Sequence, residues 1–144
     1  MFNAASALVC ALAMLNRSEA TMPPIEILDT APPYVSVGTE AFVRQSTGTV
    51  YVIGSSVVVR DASGSRGRCG DPQAVKKLAS ILVHEEWHLK HRGDERGAYY
   101  RQLIALQELG IKPGSAVYRD VQLSMQRVLE LRKHTRPDFV LAER

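Results

Sequence analysis

"HEEWHLKHRGDERGAYY", residues 84–100, carries three histidines, four carboxylates and the chain's one tryptophan. Its reading decides the fold. A helical run meets a tight corner at "HRG" (91–93), and a second helix opens at Asp94. A short corner folds the second helix back antiparallel on the first, as an αα-hairpin does. The first five residues, His84-Glu85-Glu86-Trp87-His88, form HExxH. Residues i and i+4 share a helix face one turn apart, so the two imidazoles can bind one zinc ion. The residue after the first histidine then lies beside the metal, where a carboxylate can take a proton from a bound water.

HExxH is short, and a solvated charged helix explains it equally well by composition. A helical wheel over residues 72–92 separates the two. Ala74, Val75, Leu78, Ile81, Leu82 and Leu89 make one apolar stripe, with Lys76, Ser80 and Lys90 elsewhere. His84 and His88 flank one edge, and Glu86 lies past the other. Glu85 falls inside the stripe. A carboxylate on a buried face is costly unless something compensates it, so its position fits a catalytic base in a cleft.

Catalytic zinc usually takes three protein ligands. Four candidates for the third exist. On a second wheel, Ala98, Tyr99, Leu103, Leu106 and Leu109 face inward together with Glu95, which makes Glu95 the favoured ligand. Asp94 stands second, with an N-cap role as its ordinary explanation. His91 continues the face of His84 and His88. Cys69 is last: "RGRCGD" lacks the deformylase-like context in which a cysteine joins HExxH. Tyr99, one turn after Glu95, is a candidate oxyanion donor or a core tyrosine. Trp87 points off the stripe, toward the sheet or a third helix.

Outward from this hairpin the chain reads as strands, then helices. Residues 21–40 hold four of the seven prolines, and two Pro-Pro pairs bracket "IEILD" (25–29), a short edge strand. "AFVRQ" (41–45) and "TVYVIGSSVVVRD" (49–61) are rich in β-branched and aromatic residues and read as β. "STG" (46–48) joins them as a hairpin loop, and Gly54 marks a bulge or break. "ASGSRGRCG" (62–70) reads as a mobile loop. Asp71-Pro72 then caps and opens a helix to about residue 91. Asp94 caps the second helix, which ends near Gly110. A third runs from after "KPGS" (112–115) to about 133, with Val117, Val121, Met125, Val128 and Leu131 at helical spacing. The expected fold is α+β: a small antiparallel sheet packed on the helical hairpin that carries HExxH, plus a C-terminal helix.

The 144 residues suit one domain, spanning 21–135, with a loosely held tail from Arg136. A net charge of +3 with scattered basic residues leaves no stripe for nucleic acid, and none is expected as a partner. "AASALVCALAML" (4–15) is too short to span a bilayer. Within residues 1–20 it reads as a buried helix or as a signal peptide cut after Ala20. The lack of Lys or Arg before it, with Arg17 and Glu19 at the cut, tilts the balance to a core helix and a cytoplasmic rather than exported protein. Two cysteines without CxxC spacing exclude a zinc ribbon or a disulfide framework, and nothing in the sequence argues for a single Cys10–Cys69 bridge.

"HEEWHLKHRGDERGAYYRQL" (84–103) resembles the zincin metallopeptidases, and within them small gluzincin-like bacterial proteins. These carry HExxH on one helix and a glutamate ligand on the next. The resemblance implies Zn²⁺ held by His84, His88 and Glu95, with Glu85 as general base and a peptide or protein as substrate. It also implies an edge strand above the active-site helix that pairs with an extended substrate; "TVYVI" (49–53) is the candidate. The interval from His88 to Glu95 is shorter than in large gluzincins. The alternative class is a non-catalytic, zinc-stabilised binding or regulatory module.

Overall fold

The computed structural model describes residues 3–134. The tail from Arg136 lies outside the described residues. The order is α1 (Ala4–Met14), β1 (Ile25–Leu28), β2 (Ala41–Arg44), β3 (Thr49–Ile53), α2 (Val57–Ala62), α3 (Pro72–His91), α4 (Glu95–Glu108) and α5 (Ala116–His134). The fold is α+β, with a three-stranded sheet and five helices.

The buried helix α3 organises the molecule. Asp71 caps it by accepting from Gln73 N (3.2 Å), and Pro72 occupies the first position, where no N–H is needed. Val75, Leu78, Ala79 and Leu82 face the main core, meeting Val50 and Val52 of β3, Val58 and Val59 of α2, and Ala7, Leu8, Ala11 and Leu12 of α1. The "AASALVC" stretch is therefore a core helix, packed on α2 and α3. No helix among the described residues is long and apolar enough to cross a membrane.

The sheet differs from the antiparallel one expected. Its order is β1-β3-β2; β2 pairs antiparallel with β3, but β1 pairs parallel with it. The proline-rich segment 29–40 has the length to carry the chain past β3's place to the far edge. The hairpin at residues 45–48 then inserts β3 between its neighbours.

The "TVYVIGSSVVVRD" run is also not all β. The strand stops at Ile53 and "VVVRDA" forms α2. Gly54 sits against β1, its N–H donating to Leu28 O (2.6 Å), and a Cβ there would stand 3.2 Å from that oxygen. Ser56 Oγ closes the turn onto Ile53 O (2.7 Å). Val58, Val59 and Ala62 are buried while Val57 is 67% exposed, a helical pattern in which packing overrides β preference.

Residues 62–70, expected to be mobile, form a tied ring. Gly64 N donates to Arg68 O and Gly70 N to Ala62 O, each at 2.9 Å, and Ser63 bridges Cys69. A Cβ on Gly70 would meet Asp61 O at 2.3 Å, so only glycine fits. Cys69 is bonded to Cys10 across a separation of 59 residues. In the chain-entropy view a loop of that size stabilises the fold by about 4 kcal/mol.

Candidate metal centre

α3 and α4 make the corner in three residues. Arg92 adopts φ 54°, ψ −129°, a region glycine prefers, at a cost on the order of 1–3 kcal/mol. The strained residue turns its carbonyl back onto His88 Nδ1, which donates to it. Asp94 then caps α4, accepting from Gly97 N (3.1 Å) with one oxygen and from Trp87 Nε1 (3.0 Å) with the other. Both of its oxygens are engaged in these two bonds.

The fold brings His84, Glu85, His88 and Glu95 together and buries all four, at 3%, 1%, 0% and 3% exposure. Glu95 Oε1 lies 3.1 Å from His84 Nε2 and 2.8 Å from His88 Nε2. Ligand atoms of His84, Glu85 and His88 lie within 4.8 Å of one another. Glu85 Oε2 is 4.0 Å from His84 Nε2. Tyr99 sets its ring edge-to-face with His84, centroids 4.5 Å apart.

The hydrogen-bond partners of the two rings fix where their Nδ1 protons lie. A backbone carbonyl only accepts, so His88 Nδ1 carries its ring's proton. The same follows for His84 through a relay. The Ser80 hydroxyl donates to Lys77 O (2.7 Å), which leaves its oxygen to accept from Gln102 Nε2 (3.2 Å). Gln102 Oε1 is then the atom facing His84 Nδ1 at 2.9 Å, so Nδ1 is the donor. Both imidazoles thus turn Nε2 toward Glu95.

Burial pushes the Glu95 carboxyl up, but the close contacts with His84 and His88 more than offset this and hold it well below the usual carboxylate range. Two imidazole Nε2 atoms and a carboxylate oxygen therefore converge on one point. A positive charge must sit among them: an added proton or a metal ion. The proton is disfavoured at His84, where burial, outweighing the attraction of Glu95, lowers the pKa below its ordinary value. A tetrahedral ion with bonds of about 2.1 Å separates its ligands by about 3.4 Å, a few tenths above the spacings here. The donor set, two imidazoles and a carboxylate with both outer nitrogens anchored, fits zinc.

The other expected residues lie elsewhere. His91 is exposed and stacks on Trp87, centroids 3.7 Å apart. Trp87 packs on His91 and under Arg101 rather than against the sheet or α5. Cys69 is taken by its disulfide. Glu86, expected to reach solvent, accepts both guanidinium nitrogens of Arg17 (2.6 and 2.8 Å), which holds its carboxyl below the ordinary value. "TVYVI" is the central strand, paired on both sides, so it cannot add a substrate strand. β2 is the edge nearer the site, and its Ala41 is 0% exposed.

Ser80, Gln102 and the Arg92 carbonyl escaped the reading of the sequence. Ser80 and Gln102 had a signal: Ser80, His84 and His88 repeat every four residues, and Glu95, Tyr99 and Gln102 fall at i, i+4 and i+7. Gln102→Ala frees the His84 ring and removes its Nδ1 acceptor. Zinc affinity should fall about 10–100-fold, measured by competition with a chromophoric chelator; an unchanged affinity would remove the relay from the site.

A small cavity of about 70 Å³ borders the cluster, lined by His84, Glu85, Tyr99, Gln102 and Lys77, with Val121 and Ser124 of α5 on its outer side. Searches against protein-family models, curated proteins and solved structures find no match to this chain.

Proposed function

We propose that this protein is a zincin-type metallopeptidase that hydrolyses peptide bonds at a His84–His88–Glu95 zinc site. One observation carries the reading: the Nε2 atoms of His84 and His88 both lie within 3.1 Å of one buried Glu95 oxygen, with both Nδ1 atoms held by acceptors on the outer side. Zinc, when bound, would supply the Lewis acidity that polarises a peptide carbonyl and acidifies water. Glu85 takes the proton of the attacking water on its carboxylate and returns it to the leaving nitrogen. Tyr99, beside His84, donates to the developing oxyanion. The low exposure of the cluster limits water to the cavity, which strengthens each of these interactions.

The same burial supports a second reading. If Glu85 closes the coordination as a fourth ligand, the zinc is structural and the domain is a binding or regulatory module. Elemental analysis of purified protein, followed by chelator-reversible cleavage of an unfolded polypeptide, separates the two. One zinc per chain with chelator-sensitive cleavage supports the peptidase. Zinc without cleavage supports the module, and no zinc overturns both. The Cys10–Cys69 disulfide supports a place in an oxidising compartment, against the cytoplasmic tilt of the amino-terminal sequence.

A further inference from the structure

We propose that α5 is a hinged roof over the metal centre, and that it must swing aside before a polypeptide reaches Glu85. This rests on the zinc-site reading and concerns how that site is regulated.

The site is shut as it stands. His84, Glu85 and Tyr99 are 3%, 1% and 5% exposed. The adjoining cavity of about 70 Å³ has room for a few waters, each needing on the order of 10–15 Å³. An extended peptide does not fit. α3 and α4 supply its inner walls and residues 38–41 a third side. Val121 and Ser124 of α5 line it as well. α4 and α5 both stand outside the main core, in which α1, α2, α3 and the sheet interlock, but α4 is held along α3, whereas α5 packs chiefly on α4.

α5 belongs to a separate small cluster. Tyr118, Val121 and Val128 are its buried contributions, set against Tyr99, Leu106 and Ile111. With the partly buried Val117 and Met125 packed beside them, these side chains anchor a helix of 19 residues, which packs chiefly on α4. Its polar ties include Gln107 Nε2 to Tyr118 Oη (3.1 Å) and Arg132 Nη1 to Gly93 O (2.8 Å). Leu123 and Leu131 remain 51% and 55% exposed. The connection to α4 contains Gly110 at φ 86° and Gly114 at φ 89°, flanking Pro113. Two glycines in the left-handed region around a rigid residue give the chain two swivels and a short arm. A peripheral helix packed on one neighbour and joined by such a connection opens at lower free energy than the global unfolding of the core.

The experiment uses the full zinc-loaded chain, its metal content first established by elemental analysis. Amide hydrogen exchange compares residues 118–128 of α5 with residues 78–88 of α3. Exchange at least tenfold faster in α5 is expected. In parallel, zinc transfer to excess 4-(2-pyridylazo)resorcinol is timed for wild type and for V121A/V128A. The variant should release zinc at least tenfold faster while its circular dichroism stays that of wild type. Equal protection of α5 and α3, or unchanged release from a folded variant, overturns the roof. Should the variant lose its fold, the wild-type exchange comparison decides alone. Protein that never holds zinc overturns the underlying site instead, and elemental analysis shows this before any variant is made.

Discussion

Glu85→Gln should leave one zinc per chain and lower turnover by about 10²–10⁴-fold, the range for removing a general base. The substitution keeps the shape of a side chain that is 1% exposed, so packing is undisturbed. It removes only the ability to take and return a proton. The comparison needs kcat on an unfolded polypeptide and metal content on the same preparations. Turnover at the wild-type rate would exclude Glu85 as the base. A drop in zinc occupancy would make it a ligand and move the protein to the structural-metal reading. Glu85 rather than Glu86 is the residue to change, because Glu86 is engaged by Arg17.

His88→Ala should abolish stoichiometric zinc binding. His88 is 0% exposed and its Nε2 stands 2.8 Å from Glu95 Oε1, so the variant loses one of three donors and leaves a void behind it. It also strips the Arg92 carbonyl of its donor, at the point where the α3–α4 corner is strained. Thermal melts with and without zinc give the readout. Zinc at a hundred times its Kd should stabilise the wild type by about 2.7 kcal/mol, which for a domain of this size is on the order of 8–10 °C. The variant should show no zinc-dependent shift. A shift equal to that of wild type would remove His88 from the ligand set.

What could be read from the sequence was what lies on one helix. Asp71-Pro72 and Asp94 placed the starts of α3 and α4, because capping is a local matter between a side chain and the next few amides. The inward face of Glu95 and the buried face of Glu85 followed from helical angle alone. What stayed hidden depended on distant partners. Three valines at 57–59 point to β until α1 and α3 are present to receive Val58 and Val59. The parallel pairing of β1 depends on the path of residues 29–40. Cys10 meets Cys69 only after α1 has docked. Gln102 acquires its role from Ser80, which the wheel set aside as outside the apolar stripe. α3 is buried on more than one side, so a single stripe understates what it touches. Two positions also sit where the sequence did not place them, for a related reason. His91 shares the helical face of the ligands, but α3 ends before α4 can cover it, and "TVYVI" has strand character without being at an edge.

The bond between Cys10 and Cys69 also makes residues 10–69 a closed covalent circle. That circle includes the exposed segment around Tyr34 and Val37, at 58% and 104% exposure, where an unfolded-chain protease would cut first. A single cut there opens the circle but separates nothing. The two pieces stay linked through sulfur and held by the core that α1, α2 and α3 share. Self-cleavage by such an enzyme would be invisible on a non-reducing gel, and a nicked molecule would keep Glu85 and the proposed ligands on one piece, because His84, Glu85, His88 and Glu95 all lie after Cys69.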